Sequence, residues 1–209
     1  PKKQSRGTII FLHGGFWFRT GREHWSFTAQ GMLFQNWSVI IPSYPQAPDV
    51  KITQITHSIS KLIYKILDDC NGSIRIIGHS AGGHLASRMI CKNFLKKNMG
   101  KHIKKVISVS GLYDLRPLLM TKLNDILKLD YKEAERESCF LYDPIDTKLT
   151  CWVGANERPE FLRQNRILTE AWSKKSRNIE SYYDPGKDHF TVIDQLEEKE
   201  SLLTQCITK

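Results

Sequence analysis

Apolar residues along this chain gather in short blocks separated by stretches with a different rhythm. Six blocks are rich in β-branched side chains: Thr8–Leu12, Ser38–Ile41, Ile74–Ile77, Val106–Val109, Leu149–Val153 and Ile179–Tyr183. Their near-continuous apolar character predicts strands buried on both faces, as in a parallel sheet. Between the blocks the period lengthens. Ile52, Ile55, Ile59, Leu62, Ile63 and Ile66 recur at spacings of three and four residues, which predicts one apolar face of a helix. His57 falls on the opposite, solvent-facing side of that helix. Strands alternating with helices predict an α/β domain with crossover connections. No repeat, low-complexity segment or linker divides the chain, so residues 1–209 read as a single domain. The segment from about Leu115 to Tyr142 reads as a small helical cap over one edge of the sheet.

Composition narrows the class. The 209 residues are 40% hydrophobic and 25% charged, which suits a globular chain with a full core. No apolar run has the length of a membrane-spanning helix or of a signal-peptide core, so no membrane partner is expected. The net charge is +9. Its lysines fall in scattered doublets, Lys2-Lys3, Lys96-Lys97, Lys104-Lys105 and Lys174-Lys175, rather than one stripe, which argues against nucleic acid as partner. Five cysteines (Cys70, Cys91, Cys139, Cys151 and Cys206) are odd in number and widely spaced. They suggest neither a zinc site nor a disulfide framework, and a reducing, cytoplasmic setting is expected.

Parallel strands align their C-terminal ends along one edge, where ligand sites of open α/β sheets lie. The residues following each strand therefore matter most. After Thr8–Leu12 come His13-Gly14-Gly15-Phe16-Trp17; after Ile74–Ile77, Gly78-His79-Ser80-Ala81-Gly82; after Leu149–Val153, Gly154 and Glu157; after Ile179–Tyr183, Asp184 and, five residues on, His189. Glycines, a serine, an acid and a histidine converge on one rim.

Gly78-x-Ser80-x-Gly82, after a strand and before a helix, matches the nucleophile elbow. Such a turn holds the serine in a strained conformation and needs neighbours without side chains. His13-Gly14-Gly15 reads as an oxyanion loop whose backbone N–H groups, with that of Ala81, would face a developing negative charge. His13 reads as an organiser of that loop. Among the histidines after Ser80, His84 lies one helical turn beyond it and His102 precedes a strand, at the far edge. His189 follows the last strand, at the correct edge, and is the candidate base. For the acid, Asp143 and Asp146 precede their strand; Glu157 follows it and fits best, with Asp114 as the alternative. Phe16 and Trp17, with Phe18, Trp25 and Tyr44 near the same rim, are candidate substrate-facing aromatics, and Phe16, Trp17 and Tyr44 are the first choices.

Together these residues resemble the α/β-hydrolase fold and, within it, the kynurenine formamidase (arylformamidase) group. The resemblance rests on HGGFW at 13–17, GHSAGGHLA at 78–86, SGLYDL at 110–115, ERPEF at 157–161 and DHF at 188–190. It implies oxyanion-hole roles for Gly14 and Gly15, a nucleophilic Ser80 and a basic His189. Two departures stand out. The family's acid is usually an aspartate in a D-x-P-E-F context, where this chain has Glu157. Family members also carry a longer segment before the HGG loop that supplies two further strands, so those strands are expected to be missing here. The Ser38–Ile41 strand would then be an open edge, prone to pairing in a homodimer.

The expected activity is that of a serine hydrolase acting on a small acyl substrate without metal or organic cofactor. The resemblance points to hydrolysis of N-formylkynurenine to kynurenine and formate. A carboxylesterase of short-chain esters is the alternative among enzymes. A catalytically inactive binding protein that keeps the fold is the alternative outside them.

Overall fold

A computed structural model of the chain describes residues 1, 4–69, 73–94 and 100–209. Cys70 and the Lys2-Lys3 and Lys96-Lys97 doublets lie outside the described residues. Six strands form one sheet: β1 (Thr8–Leu12), β2 (Ser38–Ile40), β3 (Ile74–His79), β4 (Ile103–Val109), β5 (Lys148–Gly154) and β6 (Ile179–Asp184). Their order is β2-β1-β3-β4-β5-β6, and every neighbouring pair is parallel. All six predicted strands are present: β1 has the expected bounds, β2 ends one residue earlier than expected, and the other four are longer by one to three residues.

Among the described residues, seven α-helices pack around the sheet: α1 (Gln30–Phe34), α2 (Ile52–Asp69), α3 (Ala81–Arg88), α4 (Asn124–Leu127), α5 (Tyr131–Arg136), α6 (Pro159–Ser173) and α7 (Leu202–Thr208). The period-two alternation of the strands divides the core between the two faces. Ile10 and Leu12 of β1 join α2, α3 and α6 on one face, whereas Ile9 and Phe11 join Met32 of α1 and Leu203 and Ile207 of α7 on the other. The predicted face of α2 is the buried one: Ile52, Ile55, Ile59, Ile63 and Ile66 all lie in the core, and His57 is exposed.

Residues 115–142 fold as short helical pieces that belong to the first of these cores. Leu115, Leu118, Leu127, Leu129, Ala134 and Cys139 are all buried in it. The segment is tied to α3 by a fully buried ion pair between Arg88 and Glu137, 3.2 Å apart. Some of the excess positive charge also has a structural task. Arg6, Arg75 and Lys105 donate to the last carbonyls of α7, at Thr208, Ile207 and Cys206, where the helix dipole favours cations. Among the described residues, strand β2 lies at one end of the sheet and pairs with β1 alone. No helix among the described residues is long and apolar enough to cross a membrane.

Candidate active site

Ser80 ends β3 and caps α3. Its φ of 54° and ψ of −116° lie in the left-handed half of backbone space, where a residue with a Cβ is strained. Close packing explains the flanking glycines. A Cβ on Gly82 would come within 1.9 Å of the Leu12 carbonyl oxygen, and one on Gly78 within 2.1 Å of the Gly82 carbonyl oxygen. The turn is fixed from the sheet by the Ser80 N–H, which donates to the Val109 carbonyl at 2.8 Å. The Ser80 hydroxyl makes no hydrogen bond among the described residues.

The His13-Gly14-Gly15 segment passes directly over this turn. A Cβ on Gly14 would sit 3.2 Å from the Ser80 Cβ. Gly15 has a φ of 110°, and its carbonyl accepts from the N–H groups of Phe18 and Arg19 at 3.0 and 2.7 Å, closing a tight turn. The N–H groups of Gly14 and Gly15 donate to no protein acceptor among the described residues, and that of Ala81 is the orphan donor expected at the first position of a helix. His13 organises the loop. Its Nδ1 lies 2.9 Å from the Gly14 carbonyl, while the Tyr44 hydroxyl donates to the His13 carbonyl at 2.8 Å. Burial pulls the His13 pKa down, which keeps the ring neutral and consistent with an Nδ1–H donor.

The base and acid candidates meet directly. His189 Nδ1 lies 2.7 Å from Glu157 Oε2. The Glu157 side chain is fully buried. Its other oxygen accepts from the Gly154 N–H at 2.9 Å and from the Ser110 hydroxyl, so an ionised carboxylate there has three donors. The His189 ring packs at a tilt against Phe161, with centroids 4.1 Å apart, and its side chain is 16% exposed. Asp114 is engaged elsewhere, since Arg116 donates to both its oxygens at 2.8 and 3.0 Å. Burial pushes its pKa up, but the bonds from Arg116 and the charges of Arg116 and Arg163 outweigh this and hold the carboxyl below its usual range.

Three of the aromatic expectations take a different form. Trp17 is 1% exposed and donates its indole N–H to His84 Nδ1 at 3.3 Å. Tyr44 is buried against His13. Trp25 packs against His79 and donates to the Thr20 hydroxyl at 3.1 Å. The Trp17 and Tyr44 rings fill space behind the loop rather than facing solvent, whereas Trp25 is half-buried; a left-handed φ at both Phe16 and Trp17 swings those two side chains apart. Phe16 alone of the three first choices stays exposed, at 37%. His84 is a buried bridge: it accepts from Trp17 and donates Nε2–H to the Glu137 carbonyl at 2.9 Å, and burial lowers its pKa to about 4.

Two contributors escape sequence reasoning. Ser110, with a φ of 52°, directly follows β4 and holds Glu157; its place on the rim was readable, its partner was not. His79 is fully buried, and its Nε2–H donates to the His189 carbonyl at 2.8 Å, fixing the loop that carries the candidate base. Burial, and after it the neighbouring His189, lower its pKa to about 3, so it stays neutral. Among the described residues no cluster of three or more His, Cys, Asp or Glu side chains is arranged to hold a metal ion.

A solved structure of a candidate thioesterase from Silicibacter sp. TM1040 superposes with a TM-score of 0.94 and 39% identity, over 100% of this chain and 78% of that one. An esterase from Pyrobaculum calidifontis superposes with a TM-score of 0.80 at 15% identity, over 98% of this chain and 76% of that one. The kynurenine formamidase of Salmo salar is 30% identical over 212 aligned positions, 96% of this chain and 71% of the relative. Fold and relatives together define a hydrolase of the α/β-hydrolase fold. The BD-FAE family model matches residues 1–156, and the chain belongs to that family.

Proposed function

We propose that this hydrolase is an arylformamidase that converts N-formylkynurenine to kynurenine and formate. Ser80 Oγ attacks the formyl carbon while His189 Nε2 takes its proton. The N–H groups of Gly14 or Gly15 and of Ala81 stabilise the oxyanion. Glu157 holds the imidazole with its proton on Nδ1 and stabilises the imidazolium that forms. His189 then protonates the departing aryl amine. Water, deprotonated by the same imidazole, attacks the formyl-enzyme and releases formate. A formyl group needs only a small acyl site, and an anilide nitrogen leaves more readily than an alkyl amine, so a simple triad suffices.

The observation that carries this reading is the Glu157–His189 pair, on the same rim of the sheet as an elbow whose serine hydroxyl makes no hydrogen bond among the described residues. The kynurenine formamidase relatives supply the substrate. The test compares kynurenine release from N-formylkynurenine with p-nitrophenyl acetate hydrolysis on one purified sample. Brisk ester cleavage with no kynurenine formed rejects the formamidase reading. It would leave a carboxylesterase, the reading favoured by the thioesterase-like neighbour at 39% identity.

Two further expectations go with this proposal. The described cysteines are free thiols, three of them buried, which suits a reducing, cytoplasmic setting. We also propose a homodimer, paired through β2 at one end of the sheet. Light scattering that gives a monomer at high concentration counts against the dimer.

A further inference from the structure

The turn after the oxyanion glycines is unusually costly for its length. Gly15, Phe16, Trp17 and Thr20 all have φ between 55° and 110°. Such strain persists where the surroundings hold it, and it gathers at functional sites. Here Gln46 donates to the Thr20 carbonyl at 2.7 Å, Ala47 to the Trp17 carbonyl at 3.0 Å, and Trp17 is anchored in the core. The result is a rigid platform at the mouth of the site. The Phe16 and Phe18 rings stack with centroids 6.0 Å apart, and the Arg19 guanidinium lies 5.9 and 5.4 Å from them.

Arg19 differs from two other arginines near this rim. Arg116 and Arg163 are paired with Asp114 and Glu160. Arg19 is exposed, and among the described residues none of its guanidinium N–H groups meets a carboxylate or any other acceptor. Stacking on two rings restrains a long, flexible side chain and leaves its donor edge open for a planar anion. Its backbone also lies close to the chemistry: a Cβ on Gly15 would come within 2.0 Å of the Arg19 carbonyl oxygen.

We infer that Arg19 is the receptor for a carboxylate carried by the leaving group, making this a site for anionic aryl substrates. The inference rests on the formamidase reading for its natural substrate, whose aryl amine bears an amino-acid side arm ending in a carboxylate. The aromatic pair would lie against the aryl ring while Arg19 takes the carboxylate bidentately. Such a bond affects binding of substrate more than the chemical step.

The test uses two substrate pairs, each neutral against carboxylated: formanilide against N-formylkynurenine, and phenyl acetate against the acetate ester of 4-hydroxybenzoate. The wild-type protein should favour the carboxylated members at least about tenfold in kcat/KM. Arg19→Gln should bring that ratio toward one through KM, Arg19→Lys should keep part of it, and Arg22→Gln, a nearby charge-matched control, should keep all of it. A wild-type ratio near one, a ratio that survives Arg19→Gln, or an equal fall in Arg22→Gln overturns the inference. Should the variants not fold, inhibition of the wild type decides. There, 2-aminobenzoate must compete with p-nitrophenyl acetate at least tenfold better than aniline, and equal inhibition overturns the assignment. Failure of the formamidase reading is seen separately, as both esters cleaved and neither formamide, and the ester pair still decides the role of Arg19.

Discussion

Glu157 Oε2 faces His189 Nδ1 at 2.7 Å, while both oxygens of Asp114, the other acid considered for this role, are bonded by Arg116. The two carboxylates follow adjacent strands, so chain position alone left them close rivals. Their partners separate them. Glu157→Gln keeps the shape but removes the charge that stabilises an imidazolium and favours the wrong tautomer. Turnover should fall by about a thousand- to ten-thousand-fold. Asp114→Asn should cost less than about tenfold, because it touches the loop through Arg116 and not the base. Steady-state kinetics of the two variants on one ester checks this, and a worse Asp114 variant would show that the acid has been misassigned.

Removal of the proposed nucleophile makes a sharper demand. Ser80→Ala keeps the elbow, since a methyl group occupies the place of the hydroxymethyl. Turnover should drop by about a million-fold, leaving what the oxyanion N–H groups and binding provide. A fluorophosphonate probe should label the wild type at Ser80 and leave the variant unlabelled. Retention of more than about a tenth of wild-type turnover would exclude Ser80 as nucleophile.

In the proposed mechanism, Ser110 acts on the reaction only through Glu157. Ser110→Ala removes one of three donors to a fully buried carboxylate, which raises the cost of keeping it ionised by about 1–3 kcal/mol. The expected signature is kcat reduced by about ten- to a hundred-fold with KM little changed, and an acidic limb of the pH–rate profile displaced upward. Ser110→Thr, which keeps the hydroxyl, should recover much of the loss. If Ser110→Ala reduces kcat with no movement of the pH profile, the residue serves only the packing of its turn.

Most of the architecture was legible because its strands are buried on both faces and so read as unbroken apolar runs; β3, β4 and β5 lie in the middle of the sheet. Position after a strand was enough to bring Ser80, Glu157 and His189 to one rim, because parallel strands all end there. Side-chain direction was not legible. Trp17 and Phe16 are neighbours in an aromatic run, yet one is core and the other surface, a division made by left-handed φ values that no hydrophobic pattern encodes. The pairing of Ser110 with Glu157 was hidden for a related reason. It joins two loops 47 residues apart, and only the lateral order of β4 and β5 makes them neighbours.

The buried histidines make a prediction about acid. His79 and His84 titrate near 6.5 in an unfolded chain, whereas in the folded protein burial lowers them to about 3 and about 4. Between pH 6.5 and 4 the unfolded chain therefore binds protons that the native state refuses, so the free energy of unfolding rises with pH across this window. On acidification each group removes up to about 1.4 kcal/mol of stability per pH unit. His13, whose pKa is also lowered, acts in the same direction. Below about pH 4 the loss continues through Asp114, whose depressed pKa makes its contribution disappear as it protonates. Both native bridges need the neutral ring: His84 accepts from Trp17 on Nδ1, and His79 has a buried Nδ1 with no protein partner, packed beside Gly14. Urea unfolding followed at pH 7.5, 6 and 5 should show midpoints that fall steadily, with nearly all of the change below pH 6.5. A stability that is flat from pH 7 to pH 5 would mean that these rings gain protons in the folded protein, and would refute the neutral bridges that hold Trp17 and the His189 loop in place.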